Sequence, residues 1–157
     1  MLKTLRISNY AIINEAEIDF SSSLNIITGE TGAGKSILLG ALSLLLGERA
    51  DTKVLYSKEK KCIVEGVFVI ENYNLKHFFD EENIDYSSET IIRREITDAG
   101  KSRAFVNDTP VTLNILQQLS DKLITIHSQH ETLALGNSAF QLMTIDALAD
   151  SMNILED

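Results

Sequence analysis

The sequence predicts an α/β protein of the phosphate-loop NTPase class. An α+β-like lobe is expected, in which an antiparallel β layer flanks the phosphate-loop strand and helix. Three observations predict it. Gly29-Glu30-Thr31-Gly32-Ala33-Gly34-Lys35-Ser36 fits G-x-x-x-x-G-K-[ST]. The apolar, β-branched run Leu24–Thr28 leads straight into it, and an apolar helical run, Ile37–Leu46, leads straight out. Two strand-like segments precede the motif, whereas in small-molecule and nucleoside kinases the loop normally follows the first strand.

The motif carries its own chemistry. Its glycines let the loop wrap so that successive backbone N–H groups point at phosphate oxygens. The helix that follows brings its positive N-terminal end to the same place, from Ile37 onward. Lys35 is placed to reach the β and γ phosphates and Ser36 to ligate Mg²⁺, so ATP with Mg²⁺ is the expected ligand.

The remaining elements follow in order. Leu2–Ser8 reads as a strand and Asn9-Tyr10 as a turn. Ile12–Phe20 alternates Ala16, Ile18 and Phe20 against Glu15, Glu17 and Asp19, the pattern of a half-buried strand. Ser21–Ser23 is a loop and Leu24–Thr28 a third strand. The helix over 37–46 is apolar nearly all round, which predicts burial, and Gly47 is placed to end it. Residues 48–61 read as loop and Cys62–Ile70 as a strand, with Val64, Gly66 and Phe68 on one face. Asn72 or Asn74 is positioned to cap a short helix through Glu82. Thr90–Ile96 and Ser102–Asn107 read as a hairpin around Asp98–Lys101. A second turn is expected at Asn107–Pro110, around the single proline. Thr112 caps a helix over Leu113–Leu119, and Leu123–Ile126 reads as a short buried strand opening into His127–Glu131. Helical spacing resumes over Phe140–Leu155.

Bulk composition narrows the function classes. The chain has 157 residues, enough for one domain with a real core. No window approaches the roughly 18 consecutive apolar residues of a membrane span, and the N-terminus lacks the apolar core of a secretory signal. The single cysteine, Cys62, excludes an internal disulfide and suits a reducing cytosol; its neighbours make it a small apolar strand residue. The net charge of −9 argues against strong duplex DNA binding by this chain alone. Lys58-Glu59-Lys60-Lys61 and Arg93-Arg94 read as a solvated loop and an exposed strand.

Several segments together resemble the ATP-binding-cassette head of the SMC-like ATPases. They are Leu5–Ile13, Glu17–Phe20, Ile27–Ser36, Leu46–Ala50, Ser102–Asn107, Pro110–Thr112 and Ile126–Glu131. The Ile-Ser-Asn-Tyr-Ala-Ile-Ile opening and Ile126-His127-Ser128-Gln129-His130-Glu131 carry more specificity than the phosphate loop. Asp108 stands after Asn107 where family members often have glycine, which bears on that turn.

The resemblance implies the roles that follow. Gln129 contacts Mg²⁺ and helps to place the attacking water, a task that suits an amide. Arg49 falls where such heads carry an arginine near nucleotide or DNA; a helix-end surface arginine is an equal reading. Arg6 is a weaker candidate near base or ribose, and Arg103 a structural residue. His127 and His130 lack further ligands for zinc and are expected to shape their loop. Residues 1–139 correspond to the N-terminal half of a head and 140–157 to the root of a coiled-coil helix.

The sequence contains no apolar strand ending in Asp-Glu and no Leu-Ser-Gly-Gly signature. The resemblance places these in a C-terminal half beyond the coiled coil. Little or no ATP hydrolysis is therefore expected from this chain. The expected partners are that C-terminal half, a second head joined on ATP binding, and DNA in the intact protein, with weak or no DNA binding by the acidic chain itself. A cytoplasmic, nucleoid-associated DNA double-strand-break repair ATPase is the implied setting, with no membrane partner. A stand-alone small-molecule or nucleoside kinase is the alternative, and a module with a vestigial nucleotide site a third.

Overall fold

A computed structural model of the chain describes residues 1–28, 34–49 and 54–126. The chain divides into Met1–Ile124 and Thr125–Asp157, and the expected boundary at 139/140 lies outside the described residues. Met1–Ile124 is built on one antiparallel sheet. Its strands are β1 (Leu2–Tyr10), β2 (Ile13–Asp19), β3 (Cys62–Val69), β4 (Glu89–Ile96), β5 (Ser102–Val106) and β6 (Thr109–Val111), in spatial order β2-β1-β3-β4-β5-β6. Helix α1 (Lys35–Leu45) packs on β3 and β4, α2 (Lys76–Glu81) precedes β4, and α3 (Leu113–Leu123) packs on β5. Among the described residues no helix is long and apolar enough to cross a membrane.

Two-residue periodicity decides which face is buried. Leu5 and Ile7 of β1, Cys62, Val64 and Phe68 of β3, and Ile92 and Ile96 of β4 lie together in the core. They meet Leu38, Ala41, Leu44 and Leu45 of α1 and Leu116, Leu119 and Leu123 of α3. Gly66 faces Leu45 of α1. A Cβ there would sit 2.6 Å from Leu45 Cδ2 and 2.9 Å from Phe68 Cε2, so the strand needs a residue without a side chain.

The expected end of α1 is present. Gly47 has φ +102°, its N–H donates to Leu44 O at 3.2 Å, and Glu48 N–H reaches back to Ser43 O at 3.0 Å. These are the paired bonds of a Schellman cap, which need a positive φ. The Thr112 hydroxyl accepts from Ile115 N–H at 3.3 Å and caps α3 as expected.

Other expectations are corrected. Asn9 and Tyr10 end β1, and the reversal falls at Ala11-Ile12. Neither Asn72 nor Asn74 caps α2, whose N-cap is Leu75. The second turn contracts to Asn107-Asp108, with φ +48° and +66°, the two positive values of a type I′ hairpin. Pro110 lies in β6, at the sheet edge, where its missing N–H costs no ladder bond. Leu123 belongs to α3, and Ile124–Ile126 form no strand.

Leu24–Thr28 also form no strand, and Leu24 and Ile26 are 78% and 77% exposed. Side chains with β propensity do not make a strand without a neighbouring strand to bond, and none of the described strands pairs with this segment. Helix α1, expected to be buried all round, keeps one open side, where Leu39 is 45% exposed.

Candidate nucleotide-binding site

The site begins at the N-terminus of α1. Gly34 is the N-cap, and among the described residues no side chain caps the helix. Lys35 and Ser36 are the first two helical residues, Ser36 exposed and Lys35 half-buried, with Ile37 half-buried behind them. Leu38 N–H closes the first turn on Gly34 O at 3.1 Å. This arrangement fits a phosphate. Dipole, backbone donors, ammonium and hydroxyl share one helix end, and the hydroxyl is of the kind that ligates Mg²⁺ in such loops.

Gly29, Glu30, Thr31, Gly32 and Ala33 lie outside the described residues, as do His127, Gln129 and His130. Arg49 is described: it is exposed, beyond the C-terminal end of α1. At about 1.5 Å per residue, roughly 16 Å of helix separates it from Lys35. Arg6 does not join the site. It lies on the outer sheet face, where Nη2 meets Glu17 at 3.1 Å and Nη1 meets Glu65 at 3.2 Å, while its neighbours Leu5 and Ile7 face inward. The bonds to Glu17 and Glu65 raise its pKa. A cleft of about 510 Å³ opens beside Arg6, Glu15, Glu17 and Glu65 on that outer face, away from the start of α1, and is not the phosphate site.

Contacts that sequence reading did not find hold the helix in place. Tyr10 closes on α1 so tightly that a Cβ at Gly40 would lie 2.6 Å from its hydroxyl oxygen. Burial raises the pKa of that phenol. Gln117 Nε2 donates to Gly47 O at 3.0 Å and ties α3 to the end of α1. Arg94, expected on an exposed strand, is fully buried. Its Nη2 donates to Ser102 Oγ at 2.7 Å, while Nε and Nη1 have no partner among the described residues, and burial lowers its pKa. Strict alternation was the available signal, since it puts Arg94 on the face of Ile92 and Ile96. Cys62 is a buried strand residue as expected, its thiol pushed up to about 11 by burial.

A phosphate-loop sequence at the head of a helix, sandwiched to an antiparallel sheet, defines the class, and comparison agrees. The AAA domain family matches residues 4–152, and the chain belongs to it. Within that class it is similar to the curated proteins named DNA repair protein RecN. It is 39% identical to the Vibrio cholerae protein over 157 residues, covering 99% of this chain and 28% of that protein. It is also 39% identical to the Bacillus subtilis protein over 151 residues, covering 95% of this chain and 26% of that one. The chain thus spans just over a quarter of the length of these relatives.

Solved structures share the fold. One, described as "Structural biochemistry of ATP-driven dimerization and DNA stimulated activation of SMC ATPases", aligns with TM-score 0.65 and 18% identity over 94% of this chain and 98% of that one. The SMC head domain from Thermotoga maritima aligns with TM-score 0.56 and 22% identity, covering 75% of this chain and 41% of that one. The expected P-loop ATPase-head fold is thereby established, and the stand-alone kinase alternative is not favoured.

Proposed function

We propose that the chain is the N-terminal part of the ATP-binding head of a RecN-like DNA double-strand-break repair ATPase. The observation that carries this reading is the first turn of α1, with Lys35 and Ser36 at its start and no side-chain cap among the described residues. The similarity over nearly the whole chain to proteins named for DNA repair supplies the setting.

Residues 29–37 cradle the triphosphate of ATP, Lys35 draws the β and γ phosphates, and Ser36 with Gln129 holds Mg²⁺. The role of Arg49 rests on the resemblance to SMC-like heads. Hydrolysis needs an acid to polarise water, and the sequence holds no Asp-Glu strand end. The chain therefore binds nucleotide and turns it over slowly or not at all. The missing groups come from a C-terminal part of the same head, reached through a coiled coil that begins at 140–157. Exposed Leu24, Ile26 and Ile27 before the phosphate loop and Leu39 on α1 leave apolar side chains for a partner to cover. ATP then joins two completed heads on DNA, in a cytoplasmic, nucleoid-associated protein.

Calorimetry tests the reading. Mg-ATP binds the chain, and Lys35→Ala abolishes the binding. Equal heats for both proteins would overturn it, as would turnover of ATP that depends on Lys35 in this chain alone.

A further inference from the structure

The cations around the sheet divide into two groups. On the outer face several meet carboxylates: Lys3 meets Glu89 at 2.6 Å, Arg6 meets Glu17 at 3.1 Å, and Arg93 meets Glu95 at 3.6 Å. At one end of the sheet the pattern changes. Lys58, Lys60, Lys101 and Arg103 are exposed and form no ion pair among the described residues.

Register gathers three of the four, and Lys58 lies on the same loop as Lys60. Cys62 pairs with Ile96 and Ile96 with Ser102, so the start of β3, the end of β4 and the start of β5 are side by side. Lys60 lies two residues before Cys62, Lys101 one before Ser102, and Arg103 one after it. Two strand spacings make the array about 10 Å wide. Glu95, the carboxylate in its middle, is held by Lys61 at 2.9 Å. Among the described residues beside these four in sequence, Glu59 and Asp98 are the other acids, so cations are in surplus there on a chain of net charge −9.

The lysine loop is held in place by one side chain. Asn9 is 1% exposed and has φ +55°, a conformation asparagine tolerates better than most residues. Its Oδ1 accepts from Ser57 N–H at 2.6 Å, and its Nδ2 donates to Ser57 O at 2.8 Å and to Lys60 O at 2.7 Å. Ala11 N–H adds a bond to Val54 O at 2.6 Å. A loop so fixed loses little further entropy on binding.

Exposed cations that form no ion pair among the described residues, on a fixed scaffold, suit a polymer of regularly spaced anions. Along one strand of duplex DNA a charge recurs about every 3.4 Å of axis, so an array about 10 Å wide covers about three phosphates. We propose that Lys58, Lys60, Lys101 and Arg103, on the Asn9-held loop and the β4–β5 hairpin, form a contact surface for the phosphodiester backbone of duplex DNA. The surface lies apart from the phosphate loop. The choice of DNA over other polyanions rests on the repair-ATPase reading. The contact reads backbone rather than bases, and the acidic remainder of the chain makes it strongly salt-sensitive.

Fluorescence anisotropy with a short labelled duplex at about 50 mM salt tests this on the whole chain. The chain binds, and the fourfold variant Lys58→Gln, Lys60→Gln, Lys101→Gln, Arg103→Gln loses roughly 100-fold in affinity, with a salt slope shallower by about three to four. Lys76→Gln with Lys122→Gln, the same chemistry elsewhere, changes neither quantity. Asn9→Ala lowers affinity several-fold with every cation retained; the fourfold variant keeps the proposal testable if Asn9→Ala misfolds. No binding by the unmodified chain overturns the proposal, as does unaltered binding by the fourfold variant. Tighter binding to heparin or duplex RNA than to DNA overturns the choice of partner. Mg-ATP calorimetry on the same proteins separates the two readings. Retained Lys35-dependent nucleotide binding beside failed DNA binding sinks this surface alone. Lost nucleotide binding beside the expected DNA result sinks the nucleotide reading alone.

Discussion

Gln117 Nε2 donates to the carbonyl of Gly47 at 3.0 Å, and a Cβ on Gly47 would lie 2.6 Å from Gln117 Cγ. One contact therefore both ends α1 and fixes where α3 rests. Since the nucleotide helix starts at Lys35 and must stop at Leu45, Gly47 sets its length from the far end.

Gly47→Ala must place a side chain at φ +102° and push Gln117 away. A loss of about 2–3 kcal/mol is expected in urea unfolding, from backbone strain plus the displaced contact. Gln117→Ala in the same background recovers part of it by making room. A Gly47→Ala protein as stable as the parent would show that α1 ends without need of the left-handed residue.

Arg94 is a buried cation with one bond among the described residues, to Ser102. Desolvation costs more than one hydroxyl returns. Arg94→Met, of similar length and apolar, is expected to raise stability by about 1–3 kcal/mol. Ser102→Ala, which removes that acceptor and leaves the guanidinium, is expected to lower it by about 1–3 kcal/mol. Denaturant midpoints of the two variants read the difference in sign. A destabilised Arg94→Met protein would show that Nε and Nη1 are satisfied in solution.

These two residues also show what the sequence made legible. Gly47 was readable because helix termination has a local chemistry that glycine alone satisfies cheaply. The Thr112 cap and the β4–β5 hairpin were readable for the same reason. Arg94 was misread because its charge outweighed its register: alternation with Ile92 and Ile96 places it inside, while the adjacent Arg93 made the pair look solvated. Leu24–Thr28 was misread because strand formation is settled by a neighbouring strand, which a segment does not encode by itself. Asn9 looked like a turn residue from its type. It has the backbone of one, yet it lies in β1 and spends its amide on a loop some fifty residues away, a partner no local pattern announces. At the nucleotide site, the motif fixed Lys35 and Ser36 at the head of a helix, and Gln129 rests on resemblance alone.

Cys62 gives a pH dependence of definite sign. Its thiol is raised from an ordinary value of 9.0 to about 11 in the folded chain. Between those values the unfolded chain releases a proton that the native chain keeps, so stability falls as pH rises from 9 towards 11. Below pH 9 the group contributes no slope. Cys62→Ala removes this alkaline component, seen as a flatter plot of unfolding midpoint against pH. The native thiol is also expected to resist iodoacetamide at pH 8 and to react promptly once unfolded. Fast alkylation of the native chain would contradict its burial.

Leu24, Ile26, Ile27 and Leu39 are each at least 45% exposed, on the segment that enters the phosphate loop and on the helix that leaves it. Exposed apolar side chains in this number favour association, because water is released from each apolar surface when two surfaces meet. The chain is therefore expected to self-associate with rising concentration, by sedimentation velocity. Ile26→Glu with Leu39→Glu places two charges on that surface without touching the core, so the sedimentation coefficient falls to that of a monomer while the unfolding midpoint is kept. If the parent chain already sediments as a monomer at high concentration, these side chains are covered within the chain itself. If the double variant unfolds instead, Leu39 belongs to the packed side of α1, and the open flank of the nucleotide helix is closed in solution.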